Sequence, residues 1–535
     1  MFKTIAITTF LISVNSLADN ASAETQLALN LATMVGGNAQ HTSAWAAETP
    51  RAEPGTVWEA KLGQGRVGDH PVMGPDGNLY VTLDETRTSM RMVSVTSAGK
   101  ERWRSDPIKI PFRTLSIPAL TPSGFVVVGL TDNTVRAFRQ SNGELAWTRS
   151  LGESVDGIIS SPAIDKAGNV YIGAAARNGF YKLNGLTGDV MWIRQLNSNA
   201  LTEAQQPERK RLQTEFSDLE KKLSETQKQI DEPVGATASN TQEKAKSRSE
   251  LFAEHSALEA QRDRVWSDFV KMTGSAPGPD GYVVGAGSSP ALSVDEKTVY
   301  IGYAADEGPL PDVEGLYALN SKTGEIKWRY RPDDADHFRV IYASPVIGRD
   351  GKIYQQDQTA SEIHALTDKG GRAELKWKYN PNHPGDSPKI TALDDDTLYV
   401  STNPSTMDFS GPVVAAVNLN GEHKWIRAFP YAYQGTSPVV TSTAVLQCTA
   451  ENNQGDDGVF LYALDKNDGT IMWRKRVSTH TQSSESEIIG PDGTIYMALR
   501  DVVSPTEGPA FIRAYHKSAV PQPVKPIDRG RIPQF

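Results

Sequence analysis

Ten residues have side chains suited to chemistry and a shared kind of place in the chain: His70, Arg113, Asp156, His337, Arg339, Tyr342, His383, Asp386, Tyr433 and His480. Each stands a few residues ahead of a short apolar run. Imidazole exchanges its proton near neutral pH, so it can serve as general acid, general base or metal ligand, and phenol and carboxylate groups can complete such a set. Guanidinium and imidazole groups together would also hold an anionic ligand. The ten are spread over most of the sequence, so only a fold that brings the chain back repeatedly to one place can assemble them. Two acidic stretches, Asp394-Asp395-Asp396 and Glu451-Asn452-Asn453-Gln454-Gly455-Asp456-Asp457, offer clustered oxygens of the kind hard cations take. Neither has the spacing of a calcium loop: the first falls where sister segments have a hairpin turn, and the second reads as a solvated loop. Gly-X-Ser-X-Gly, His-Glu-X-X-His and phosphate-loop patterns are absent from the sequence.

The element that must position these residues is a repeat. Trp58, Trp103, Trp147, Trp192, Trp328, Trp377, Trp425 and Trp473 recur every 44 to 49 residues, with one gap of 136. A period of this length is the signature of a propeller or solenoid. Ser160-Ser161-Pro162-Ala163 leads to Asn169-Val170-Tyr171-Ile172-Gly173, then to Tyr181-Lys182-Leu183-Asn184 and Thr187-Gly188-Asp189-Val190-Met191-Trp192. The same order runs from Ser288-Ser289-Pro290 to Trp328. Short alternating runs divided by Ala-Gly, Asp-Gly and Thr-Gly turns predict antiparallel strands in tight hairpins. Each unit is then a four-stranded meander whose two apolar faces must be covered by neighbours, which makes it a blade. Tryptophan, a large apolar plate with one N–H, suits the contact between blades.

Seven units end in a tryptophan strand, near residues 70–107, 115–151, 158–196, 287–333, 341–381, 387–430 and 436–478. An eighth, 483–518, has three strands and no tryptophan, whereas Gly55-Thr56-Val57-Trp58-Glu59-Ala60 is a tryptophan strand with no blade before it. Joining the two predicts an all-β, eight-bladed propeller of four-stranded antiparallel blades without an open sheet edge. The propeller would occupy residues 55–196, the closing strand with blades one to three, and residues 286–518, blades four to eight.

Residues 197–285 follow a helical rule instead. Leu212, Phe216, Leu219, Leu223 and Ile230, and then Leu251, His255, Leu258, Arg262, Val265, Phe269 and Met272, keep spacings of three, four and seven. Such spacings make one stripe per helix. The Pro233-Val234-Gly235 break between them predicts an antiparallel helical hairpin, projecting from the face that carries the between-blade connections and the ten residues above.

Lys3, the apolar run 5–14 and Ala21-Ser22-Ala23 follow the order of a secretory signal, so residues 1–23 are expected to be removed and the protein to be periplasmic or secreted. Residues 24–54 then read as a linker and 519–535 as a proline-rich tail. No stretch is apolar for long enough to span a bilayer. A net charge of -9 argues against nucleic acid as a partner. Cys448 is the only cysteine, so no internal disulfide can form.

Ala318-Leu319-Asn320-Ser321-Lys322-Thr323-Gly324-Glu325-Ile326-Lys327-Trp328 and Ala463-Leu464-Asp465-Lys466-Asn467-Asp468-Gly469-Thr470-Ile471-Met472-Trp473 resemble the tryptophan-docking repeat of the quinoprotein-like (PQQ-like) propeller family. The resemblance covers roughly residues 56–196 and 286–518. It implies the fold, but the family includes pyrroloquinoline-quinone (PQQ) alcohol dehydrogenases as well as the non-catalytic propeller lipoprotein of outer-membrane barrel assembly. For a dehydrogenase it implies a vicinal cysteine disulfide, calcium held by acidic and amide side chains, and a catalytic aspartate. The single Cys448 departs from that pattern, and no aspartate matches the catalytic role by motif. The assembly lipoprotein's lipidated cysteine is missing as well, and the helical insert is extra. The expectation is a scaffold that binds a protein or glycan through the hairpin and the loops beside it. Two alternatives stand: a PQQ-dependent oxidoreductase without the disulfide, with PQQ and Ca2+ as disfavoured cofactors, and a polysaccharide lyase using the mouth histidines and tyrosines.

Overall fold

The computed structural model describes residues 32–68, 70–152, 157–158, 160–174, 179–195, 206–231, 247–273, 288–303, 314–332, 344–357, 362–380, 387–403, 413–429, 432–451, 457–479, 487–500 and 508–517. One unit shows how sequence becomes blade. Ala163–Ile164, Val170–Ala174, Gly179–Leu183 and Val190–Gln195 pair in chain order, all antiparallel. The first three strands are fully buried, and the fourth alternates between exposed and half-buried. Burial therefore falls outward, placing the first strand innermost and the tryptophan strand at the rim.

The described strands form five four-stranded sheets, one five-stranded sheet and one nine-stranded sheet. The nine-stranded sheet contains the closure. Strand Gly55–Val67 pairs with Gly508–His516 from Gly55↔His516 to Gly65↔Gly508, then turns onto Leu79–Thr86 at Arg66↔Asp84 and Val67↔Leu83. At the switch, Gly65 has φ +133° and a Cβ there would lie 2.3 Å from the Asp84 carbonyl, so only glycine lets one strand serve two blades. Divided at this strand, the described strands fit the expected count of eight units.

Seven of the eight docking tryptophans reach the following unit, and Trp473 reaches the segment before the closing strand. Trp58, Trp103, Trp147, Trp192, Trp377, Trp425 and Trp473 donate their indole N–H to the carbonyls of Ser97, Gln140, Gly185, Ser321, Leu419, Lys466 and Pro50 at 2.7 to 3.2 Å. Trp328 donates to Asp368 Oδ1 at 2.9 Å. Six of the rings, those of Trp58, Trp103, Trp147, Trp192, Trp377 and Trp425, lie against a glycine of the turn that receives them: a Cβ on Gly469, at φ +70°, would sit 2.5 Å from Trp425 Cε3. This close approach explains the Gly-X-X-X-Trp pattern. Within the units, Tyr80, Tyr171, Tyr300, Tyr354, Tyr399 and Tyr496 back the tryptophans with ring centroids 5.8 to 6.1 Å apart.

Residues 32–50, within the stretch read as a linker, are instead packed against the ring. The carbonyls of Ala32, Thr33, Ala39, Gln40, Thr42 and Ser43 accept the N–H groups of Met73, Leu120, Leu292, Ile347, Leu393 and Val440 at 2.7 to 2.9 Å. Those donors belong to the innermost strands of units one, two, four, five, six and seven. The physical reason is that an innermost strand turns a free edge to the central channel, and its N–H groups need acceptors there. Trp45 and Met34 are buried in the blade cores.

The insert folds as predicted into two helices, α1 (Gln206–Asp231) and α2 (Arg248–Thr273), each about 39 Å long at ~1.5 Å per residue. The stripe Leu212, Phe216, Leu219, Leu223 and Ile230 is buried, and Val265 and Leu258 pack on it from α2. A capping box starts α2: Ser247 N–H donates to Glu250 Oε2 at 2.7 Å, and Glu250 N–H donates to Ser247 Oγ at 3.3 Å.

Candidate functional site

The paired serines of the repeat build the throat of the ring. The first serine of each pair ties its strand to its own blade: Gly173 N–H donates to Ser160 Oγ at 3.2 Å and Gly302 N–H to Ser288 Oγ at 2.7 Å. The second accepts from the blade before. Ile117 N–H donates to Ser161 Oγ at 2.9 Å, Ser161 N–H to Ser289 Oγ at 3.0 Å, and Ser289 N–H to Ser344 Oγ at 3.2 Å. Four units are thus joined by a collar of hydroxyls just before the innermost strands. His70 holds the same place in unit one. It is buried, with Nδ1 3.0 Å from the Pro71 carbonyl.

Of the other expected site residues, Arg113 is half-buried near Asp84. Asp84 accepts the Thr114 N–H at 3.1 Å; burial lifts its carboxyl to about 6, against the pull of that hydrogen bond and of Arg66 and Arg113. Tyr433 lies in strand Ala432–Gly435, with its side chain outside the described residues. Asp156, His337, Arg339, Tyr342, His383, Asp386 and His480 also lie outside them. The structure therefore brings Arg113 to a carboxylate and sets His70 in the throat.

The described residues of the acidic stretches make structural contacts. Asp394 Oδ1 accepts the N–H groups of Asp396 and Thr397, closing the expected turn, while Asp394, Asp395 and Asp396 pair with Lys466, Arg349 and Lys424 at 2.5 to 3.0 Å. Glu451 departs from the solvated loop expected of its stretch. It is 3% exposed, accepts from Thr449 and Tyr462 hydroxyls at 2.8 and 2.5 Å, and pairs with Arg474 at 2.7 Å. Residues 452–456 of that stretch lie outside the described residues.

Three groups escaped sequence reasoning. His364, fully buried, lies 3.1 Å from the Tyr330 hydroxyl through Nδ1 and 3.1 Å from Glu362 through Nε2, with Lys378 3.4 Å from the same carboxylate. This packed set of contacts links units four and five. His41, on residues 32–50, is 4% exposed, and desolvation lowers its imidazole to about 4. Glu487 takes the position that proline holds in units one to five and seven: it is 1% exposed, and neither carboxylate oxygen has a partner among the described residues. The repeat alignment is the signal that could have found it.

Desolvation raises the Glu487 carboxyl to about 8. The folded protein therefore keeps a proton that the unfolded chain releases above about 4.5, so stability from this group is full below that value and is lost as pH rises through 8. Glu487→Gln has no proton to lose. Relative to wild type it is expected to gain on the order of a few kcal/mol between pH 5 and pH 9 in urea unfolding. Parallel pH profiles of the two proteins would refute this.

Among the described residues no group of three His, Cys, Asp or Glu side chains is placed to hold a metal ion. Cys448, buried in strand Ala444–Glu451, is the single thiol and cannot make a vicinal disulfide. The vicinal disulfide implied by the dehydrogenase resemblance is therefore absent from this sequence. No described helix is long and apolar enough to cross a membrane.

Solved structures share the fold. Quinohemoprotein alcohol dehydrogenase from Comamonas testosteroni is 14% identical with a TM-score of 0.55, covering 93% of this chain and 82% of its own. Quinohemoprotein alcohol dehydrogenase ADHIIG from Pseudomonas putida HK5 is 12% identical with a TM-score of 0.56, covering 95% and 83%. A europium-containing methanol dehydrogenase is 11% identical with a TM-score of 0.55, covering 91% and 98%. At such identities the likeness concerns architecture alone. No curated protein matches the sequence. A family model described as outer membrane protein assembly factor BamB matches residues 50–215 and 254–455. With the docking repeat, the closing strand and that match together, the chain belongs to the BamB-type family of PQQ-like β-propellers.

Proposed function

We propose that this propeller is a periplasmic or secreted binding scaffold that captures a protein partner on the face carrying the between-blade connections and the helical hairpin. The observation that carries the reading is the hairpin itself. Two 26-residue helices enter between units three and four, yet Trp192 still docks on Ser321 at 3.0 Å. The insert is thus added to the ring without being needed to close it. Its shared core is small, and Phe252 on α2 is 52% exposed. An exposed aromatic on a rigid helix suits a protein contact. The family description, an outer-membrane assembly factor, supports a partner from that route.

Deleting residues 200–275 and bridging the ends is expected to leave the ring's melting temperature within a few degrees and to abolish partner capture. A photo-crosslinking side chain at position 252 of the full chain should yield an adduct with an outer-membrane assembly protein. Equal capture by the deletion protein, or an adduct-free position 252 beside undiminished capture, would sink the role of the hairpin. Binding of oligosaccharide instead of protein would move the reading to a glycan.

A further inference from the structure

The edge of a β-strand binds extended chain through its backbone, and side chains add only selectivity. Eight innermost strands give this ring a circle of such edges around its channel. Residues 32–49 follow that circle. Their carbonyls meet units one, two, four, five, six and seven in ring order, and Met34 and Ala39 pack in the core that holds Ile164 of unit three. Glu48 then lies over the Asp492-Gly493 turn of unit eight. The path makes nearly one full circuit before Pro50 receives Trp473 and the chain enters the closing strand.

We infer that the channel-facing strand edges form a binding track for an extended peptide, and that residues 32–49 are its resident occupant, a strap fastening the blades to one another. The contacts are the ring's N–H groups on the segment's carbonyls, which any sequence could offer. Selectivity comes from a few anchors. Trp45 is 5% exposed, its backbone N–H donates to the Val440 carbonyl at 2.9 Å, and its ring covers Gly37. His41 and Ser43 are held at φ +58° and +46°, a left-handed backbone that persists where surrounding contacts impose it. The contacts fall at the ends of the innermost strands, beside the turns into the second strands. The strap therefore lies at the end of the channel opposite the hairpin connection. This inference is independent of the proposed partner, because it concerns the other end of the ring.

Two glycines of the full chain separate strap from turn. Gly493 and Gly351 occupy equivalent turns at φ +82° and +78°, so alanine strains both alike. A Cβ at 493 would lie 2.0 Å from the Glu48 carbonyl, whereas one at 351 has nothing within 4 Å. Hydrogen exchange at Met73, Leu120, Leu292, Ile347, Leu393 and Val440 reads the track directly. Gly493→Ala is expected to speed exchange at Val440 and Leu393 at least tenfold, with Gly351→Ala close to wild type. Trp45→Ala, read at the same amides, covers the case in which Gly493→Ala does not fold. In that variant a synthetic peptide of residues 32–50, added in excess, should restore protection. Equal exchange in the two glycine variants would overturn the strap. Exchange in Trp45→Ala that the peptide leaves unchanged would overturn the track.

Discussion

Trp473→Ala is expected to destabilise the protein by about 3–5 kcal/mol, the range for removing a large buried aromatic side chain. Trp473 is 4% exposed, sits in the core shared by units seven, eight and one, and donates to the Pro50 carbonyl at 2.7 Å. It is also the dock that joins the C-terminal units to the N-terminal segment. Trp473→Phe keeps most of the apolar contact but strands the carbonyl, so its expected cost is about 1–2 kcal/mol. Trp147 is the comparison. It is half-buried and donates at 3.2 Å, and its alanine variant should cost less than that of Trp473. Urea unfolding followed by tryptophan fluorescence and circular dichroism measures all three. Equal costs at positions 147 and 473 would show that burial does not grade the docks.

The second large effect is at Glu451. Its carboxylate is the acceptor for two hydroxyls and the Arg474 guanidinium, which itself lies 3.5 Å from the Phe460 ring centre. Glu451→Ala removes the anion and leaves the guanidinium and the Tyr462 hydroxyl against an apolar blade. Breaking a buried pair in this way costs about 3–5 kcal/mol. The double variant Glu451→Ala/Arg474→Met should recover part of that loss, because no unpaired charge remains. A double variant less stable than the single one would mean that the stem of Arg474, rather than its charge, holds the interface.

The parts of this structure legible in the sequence are those where side chains carry the regularity. Tryptophan, glycine and tyrosine recur because each dock needs a plate, a bare turn and a backing ring, so the units and their closure by Trp58 could be read directly. The stripe from Leu212 to Ile230 was legible for the same reason. The Ser160-Ser161-Pro162 motif was visible as a repeat, but its use was not, since the two hydroxyls act on different blades. Residues 32–50 gave no signal at all: their contacts run through carbonyl groups, which every residue type shares. The ten candidate residues were chosen by their place ahead of the innermost strands. That criterion found the throat, where His70 sits, and missed His364 and Glu487, whose partners and burial depend on neighbouring blades.

The circle of docks has one more consequence. A stacked array of repeats has two ends, each needing a special cap, and it can lengthen by adding repeats there. In this ring the indole of each unit is received by the next until Trp473 meets Pro50, so there is no end at which to add. New material can enter only through the connections, where separation along the chain does not matter to the contact across it. Trp192 and Ser321 are 129 residues apart in sequence and bonded at 3.0 Å in space, the same relation that Trp147 and Gly185 have across 38. The architecture is closed to growth by repetition and open to growth by insertion, and the helical hairpin is an addition of the kind it permits.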